Sequence, residues 1–180
     1  MSNELAIHPS PTFLAAVEAH GAERVSLCYQ CRKCTNGCPA AFAMDLMPNQ
    51  VMRMVQLGLE DELLRSRTIW VCAGCQTCTT RCPNDIDIAH LMDTLRQMSR
   101  AAGVPAGEAN VVKFHKAFLD SVRRHGRVYE LEMMGFYKLA AMDFFSDMGL
   151  ALNMFKKGKL KFLPSGIKGK QEVRRMFKKE

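Results

Sequence analysis

The chain has 180 residues, of which 24% are charged and 48% hydrophobic, proportions ordinary for a folded protein, and its formal charge is +7. It contains no run of 18 apolar residues, and the opening "MSNELAIHPSPTF" has neither a basic start nor an apolar core, so no membrane span or secretory signal is expected. The expected compartment is cytoplasmic, which argues against pairing eight cysteines as disulfides.

In chain order, Ser10 is the expected N-cap of a first helix, with Pro11 at its first position, Phe13, Leu14 and Val17 on one side and Gly21 as the stop. A cysteine-rich stretch follows. Pro48 opens a second helix that turns Val51, Met52, Met54 and Val55 inward and stops near Gly58. "EDELLRSRTIW" predicts a further short helical turn or two, and the only period-two texture lies around Ile69–Cys72. After a second cysteine stretch, Asp87 caps a helix with Ile88, Leu91, Met92, Leu95 and Met98 on one face. The reading is all-α: a helical cluster domain over residues 1–106 and a helical or irregular extension over 107–180.

The extension predicts one amphipathic helix through Val111, Val112, His115, Phe118, Leu119 and Val122, ending at Gly126. "RVYELEMMGFYKLAAMDFF" is apolar on more than one side, and Met154, Phe155, Leu160, Phe162, Leu163 and Ile167 are interspersed with lysines. Two uses fit this surface: a cover for the first domain, or a contact for other subunits. Residues 156–180 hold ten Lys/Arg against Glu172 and Glu180, a net +8, whereas the preceding residues sum to −1.

All eight cysteines fall in two copies of C-x2-C-x2-C-x3-C-P: Cys28, Cys31, Cys34 and Cys38, then Cys72, Cys75, Cys78 and Cys82. Four thiolates so close together repel one another unless something strongly positive sits between them. Three cysteines three residues apart wrap three corners of a cube, and the fourth, followed by proline, leaves on another vector. That is the iron–sulfur run in which the fourth cysteine ligates the other cluster. Structural zinc pairs two cysteines with two distant ligands and fits poorly. The cofactors expected are two [4Fe–4S] clusters, one on Cys28, Cys31, Cys34 and Cys82, the other on Cys72, Cys75, Cys78 and Cys38. With a charge of about −2 on each oxidised cluster, the head becomes acidic beside its basic tail.

Gly37 and Gly74 can bring backbone N–H groups to the sulfurs, and Pro39 and Pro83 turn the chain away after each fourth cysteine. Met44, Leu46, Met47, Ile69, Ile86 and Ile88 are candidates for the dry surround, and Trp70 for a shield. The sequence has no phosphate loop, dinucleotide fingerprint or H-E-x-x-H, no ninth cysteine, and only scattered histidines. No catalytic residue is nominated. A fully cysteine-ligated cube leaves no open iron for substrate, so the expected role is a wire for single electrons.

At the level of whole motifs, "CYQCRKCTNGCP", "MPNQVMRMVQLG", "CAGCQTCTTRCP" and "DIDIAHLMDTLR", with "FHKAFLDSVRRHGRVYELEMMGFYKL" and the closing "EVRRMFKK", resemble the C subunit of heterodisulfide reductase. The resemblance implies an alpha-helical ferredoxin fold and the same eight cysteine ligands. It also implies a non-catalytic electron-transfer subunit of an oxidoreductase complex, in a heterotrimer that can dimerise. Its partners would be a flavin-containing A subunit, the bifurcating centre of cytoplasmic complexes, and a B subunit with noncubane clusters. There the disulfide of coenzyme M and coenzyme B is reduced in methanogens. Two other readings share features of the chain. An iron–sulfur subunit of a quinone-linked dehydrogenase would carry the same two cubes beside a membrane anchor. A nucleic-acid-binding protein would use the basic tail on phosphate, but the apolar residues among those lysines and the acidic head oppose it, so neither nucleic acid nor direct membrane insertion is expected.

Overall fold

The computed structural model describes residues 9–21, 23–143, 148–158, 164 and 167–177. Among these residues every regular element is a helix, and the chain divides into two compact units, Met1–Ala109 and Asn110–Glu180. The expected roles of Leu160, Phe162, Leu163 and the Phe155 side chain fall outside the described residues.

In the first unit, helix α1 (Phe13–Gly21) buries Phe13 and Val17, α3 (Pro48–Leu57) buries Val51, Met52, Met54 and Val55, and α4 (Glu60–Arg65) buries Leu63 and Leu64. α1 and α4 pack on α7 (Ile88–Ala101), which contributes Ile88, Leu91, Met92 and Leu95, and α3 packs on α1 and α4. Each such side chain contributes about 1.5–3 kcal/mol by leaving water. α1 ends at Gly21, as expected, and Gly21 also serves packing, because a Cβ there would lie 2.6 Å from the Thr94 hydroxyl of α7. Gly58 does terminate its helix: at φ 71° it takes the left-handed conformation after α3, and its N–H returns to the last turn.

The start of α1 differs from expectation. Pro11 and Thr12 form a turn, and the helix begins at Phe13, whose N–H meets the Ser10 carbonyl at 3.2 Å. Ser10 is held from the other side, its N–H donating to the Gly58 carbonyl at 2.7 Å. The Ile69–Cys72 texture is likewise no strand. Thr68–Val71 is a single helical turn, α5, with Thr68, Ile69 and Trp70 buried. Asp45 imposes that turn, its carboxylate accepting the N–H groups of Arg67 (2.8 Å) and Thr68 (2.9 Å).

Two further short helices, α2 (Lys33–Asn36) and α6 (Thr77–Thr80), lie within the cysteine runs and pack on each other. α2 rests on α3 and α6 on α7, so each cysteine run is backed by one of the longer helices. As expected, Asp87 caps α7, its side chain accepting the His90 N–H at 2.9 Å.

The second unit contains α8 (Ala109–His125), α9 (Glu130–Ala141), α10 (Met148–Lys156) and α11 (Lys170–Met176). The expected apolar face of α8 is not its buried one: Ala117 and Ser121 are buried, while Phe118 and Leu119 remain 39% and 49% exposed. The reason lies in α9. Ser121 and Tyr129 hydrogen-bond at 2.9 Å, and Arg124 and His125 pair with Glu132, turning the polar side of α8 toward its neighbour. On α9, Met133 is buried and Phe136 and Leu139 are exposed. Among the described residues no helix is long and apolar enough to cross a membrane.

Candidate iron–sulfur sites

The two cysteine runs are built alike, position for position. In the first, Gln30 and Arg32 both have φ 63°; in the second, Gly74 and Gln76, the residues at the same offsets, both have φ 62°. Only glycine adopts this conformation without cost, so three of the four positions carry strain that the surrounding structure must hold in place. The arrangement curls the backbone around each group of three cysteines, a concavity of N–H groups suited to an anion.

Two cavities result, each using one cysteine from the opposite run. One, with some 290 Å³ of atom-free space, is lined by Cys28, Cys31, Cys34 and Cys82 together with Gln30, Arg32, Asn49, Met52 and Ile88. The other, some 380 Å³, is lined by Cys72, Cys75, Cys78 and Cys38, with Met44, Pro48, Ala89 and Met92 among its apolar walls. Each thus faces four thiols and side chains from both α3 and α7. Among the described residues no three His, Cys, Asp or Glu side chains meet at the range of a single metal ion. The thiols surround a space instead of converging on a point.

The electrostatics define what can fill that space. Burial pushes the Cys78 thiol up to about 11 and raises Cys34. Cys72 is also raised by burial, which outweighs the Gly74 N–H and the Arg96 charge that pull it down. Such thiols ionise only against compensating positive charge. Cys75 is different: exposed, it is lowered by the hydroxyl and N–H of Thr77. Four thiols around an apolar-walled space, with backbone N–H groups curled about them, fit a metal–sulfide cube whose iron supplies the positive charge and whose sulfides and thiolates leave it anionic overall.

The surround is partly as expected. Met44 lines the second cavity and Ile88 the first, whereas Ile69 and Ile86 are buried in the general core and Trp70 is buried outside both linings. Met52 of α3 and Met92 of α7 line the cavities directly, although in sequence they are indistinguishable from core positions of their helices. Gly37 admits the opposite run: a Cβ there would lie 2.4 Å from the Arg81 guanidinium. Hydrogen bonds tie each run to its supporting helix. The Thr35 hydroxyl lies 2.6 Å from the Asn49 amide oxygen, and Thr79, at the same offset in the second run, donates to Asp87 at 2.8 Å. The Gln30 amide donates to the Cys28 sulfur at 3.5 Å.

Residues 27–87 match the 4Fe–4S dicluster domain family. The protein is accordingly an all-α iron–sulfur protein whose domain carries two [4Fe–4S] clusters. Around that domain the chain is 31% identical over 94 residues to the C subunit of the H2:CoB–CoM heterodisulfide,ferredoxin reductase of Methanothermobacter marburgensis, covering 52% of this chain and 51% of the relative. It is 36% identical over 102 residues to the second C-type iron–sulfur subunit of the CoB–CoM heterodisulfide reductase of Methanocaldococcus jannaschii (57% and 51%). A protein of Archaeoglobus profundus described as like the heterodisulfide reductase C subunit is 35% identical over 79 residues (43% and 42%). Over this region the chain is thus similar to C subunits of heterodisulfide reductases. It spans about half the length of these curated relatives.

Proposed function

We propose that this chain is the electron-transfer subunit of a heterodisulfide-reductase-type complex. In this reading Cys28, Cys31, Cys34 and Cys82 hold one cluster, and Cys72, Cys75, Cys78 and Cys38 hold the other. The observation that carries it is the exchange of one cysteine between the two runs at two four-thiol cavities. When bound, the clusters supply one-electron redox chemistry. The chain's own residues hold them, wall them with Met44, Met52, Met92 and Ile88 against water, and keep them on a common scaffold of α3 and α7. Residues 1–106 suffice for this task, and residues 107–180 serve assembly.

The partners are an A-like flavin-containing subunit that supplies electrons and a B-like subunit with noncubane clusters that consumes them at a disulfide. The proposal draws on the similarity to C subunits and on the exposed apolar side chains of α8 and α9, with the basic residues beyond them. Buried apolar anchors give such a contact its strength, and charge complementarity to the partners gives its orientation.

Anaerobic isolation of the native complex tests both parts. The chain should contain about eight irons and eight sulfides and, on reduction, show two interacting S = 1/2 centres. Four irons, or stoichiometric zinc, would end the cluster assignment. Recovery with A- and B-like subunits supports the relay. Recovery with a quinone-reactive membrane subunit in their place would transfer the chain to the quinone-linked dehydrogenases.

A further inference from the structure

Arg96 lies on α7 one turn beyond Met92, which lines the second cavity. Its side chain is only 15% exposed. One guanidinium nitrogen donates to the Cys72 carbonyl at 3.3 Å, and another pairs with Asp93 at 2.8 Å. The third, Nε, is buried and has no hydrogen-bond partner among the described residues. Burying a guanidinium with one donor unused is costly, so a group drawing on this charge is called for.

The two cavities differ in this respect. Arg32 is the cation in the lining of the first, but it is exposed, and solvent screens an exposed charge. Asp93, the counter-ion of Arg96, is 61% exposed, so its negative charge is weakened more than the positive charge it opposes. A guanidinium is also permanently charged, which makes its influence independent of pH over the working range.

We propose that Arg96 sets the reduction potential of the cluster beside Cys72, holding it above that of the cluster on the Cys28 side. The inference rests on the ligand assignment proposed above. Taking up one electron makes an all-cysteine cube more negative by one charge, from about −2 to about −3. A nearby buried cation therefore stabilises the reduced form more than the oxidised one. With that difference, transfer of an electron from the Cys28-side cluster to the Cys72-side cluster is downhill. Arg96 acts through its charge alone and is a positioning residue for the electron, with no chemical step of its own.

The test is a dithionite titration of the full-length, cluster-loaded protein, followed by electron paramagnetic resonance, in the wild type and in the Arg96→Lys, Arg96→Gln and Asp93→Asn variants. The Cys75→Ser variant marks which signal belongs to the second cluster. Arg96→Gln should lower the midpoint of that cluster alone, reducing the proportion reduced at the wild-type midpoint several-fold. Arg96→Lys should restore much of the shift, and Asp93→Asn should move the same midpoint upward. Equal movement of both clusters, or movement of neither, with iron content intact, would overturn the proposal. If Arg96→Gln loses iron, the exposed Asp93→Asn substitution decides, and an unmoved midpoint there overturns it equally. A wild-type protein with fewer than about eight irons refutes the ligand assignment itself, a distinct outcome.

Discussion

Asp45 lies between the two cysteine runs, and its carboxylate accepts from four donors: the N–H groups of Leu46, Arg67 and Thr68, and the Thr68 hydroxyl, at 2.7–2.9 Å. It therefore fixes the turn that delivers Cys72 to its cavity. Burial opposes its ionisation, but the Thr68 hydroxyl and the three N–H groups outweigh burial and hold its carboxyl below the usual carboxylate range. In Asp45→Ala the Thr68 hydroxyl turns its one proton to the Leu46 carbonyl, 2.7 Å away, while the N–H of fully buried Thr68 loses its acceptor. A lost cap plus one buried unsatisfied donor amounts to about 2 kcal/mol. Amide exchange in the segment 66–72, followed by mass spectrometry on the cluster-loaded protein, should accelerate by about 30-fold. Asp45→Asn, which keeps one acceptor, should fall between. A depressed folded pKa contributes stability above the unfolded value of about 3.9 that is lost as pH falls through the folded value. The deficit should therefore stay constant between about pH 6 and 8, where the carboxylate is ionised in both states. Unchanged exchange in Asp45→Ala would refute the claim that this carboxylate positions the second run.

Gly21→Ala should destabilise the first unit by about 1–3 kcal/mol through overpacking on Thr94, read as a lowered unfolding midpoint, and Thr94→Ala should recover most of the loss. Paired Phe118→Ser and Leu119→Ser changes should alter the stability of the isolated chain by no more than about 0.5 kcal/mol but sharply reduce recovery of A- and B-like subunits on co-purification. Loss of stability with assembly intact would instead make that face a structural cover.

The helices of the first unit were legible because their signals are local. Pro48 and Gly58 bound α3, Asp87 caps α7, and 3.6-residue periodicity marks the inward faces. The cysteine spacing likewise carries its chemistry on its surface. Contacts between distant residues leave no such trace. Asp45 reads as a loop acid until the chain folds it against Thr68, and Arg96 reads as a solvated helix charge until α5 packs over α7. The apolar stripe of α8 misleads for a related reason: periodicity reports that a face is apolar, while the polar bonds of Ser121, Arg124 and His125 decide which face its neighbour within the unit takes.

The exchange of cysteines between runs also bears on how the protein is made. A chain emerging from the ribosome as far as residue 71 has three of the four thiols that line the first cavity and one of those that line the second, so it can complete neither. Both become complete only when the second run docks α6 against α2. Under the proposed ligand assignment, iron loading is thereby deferred to a nearly finished first unit, and a ribosome stalled midway releases a chain that has no complete four-thiol cavity to fill.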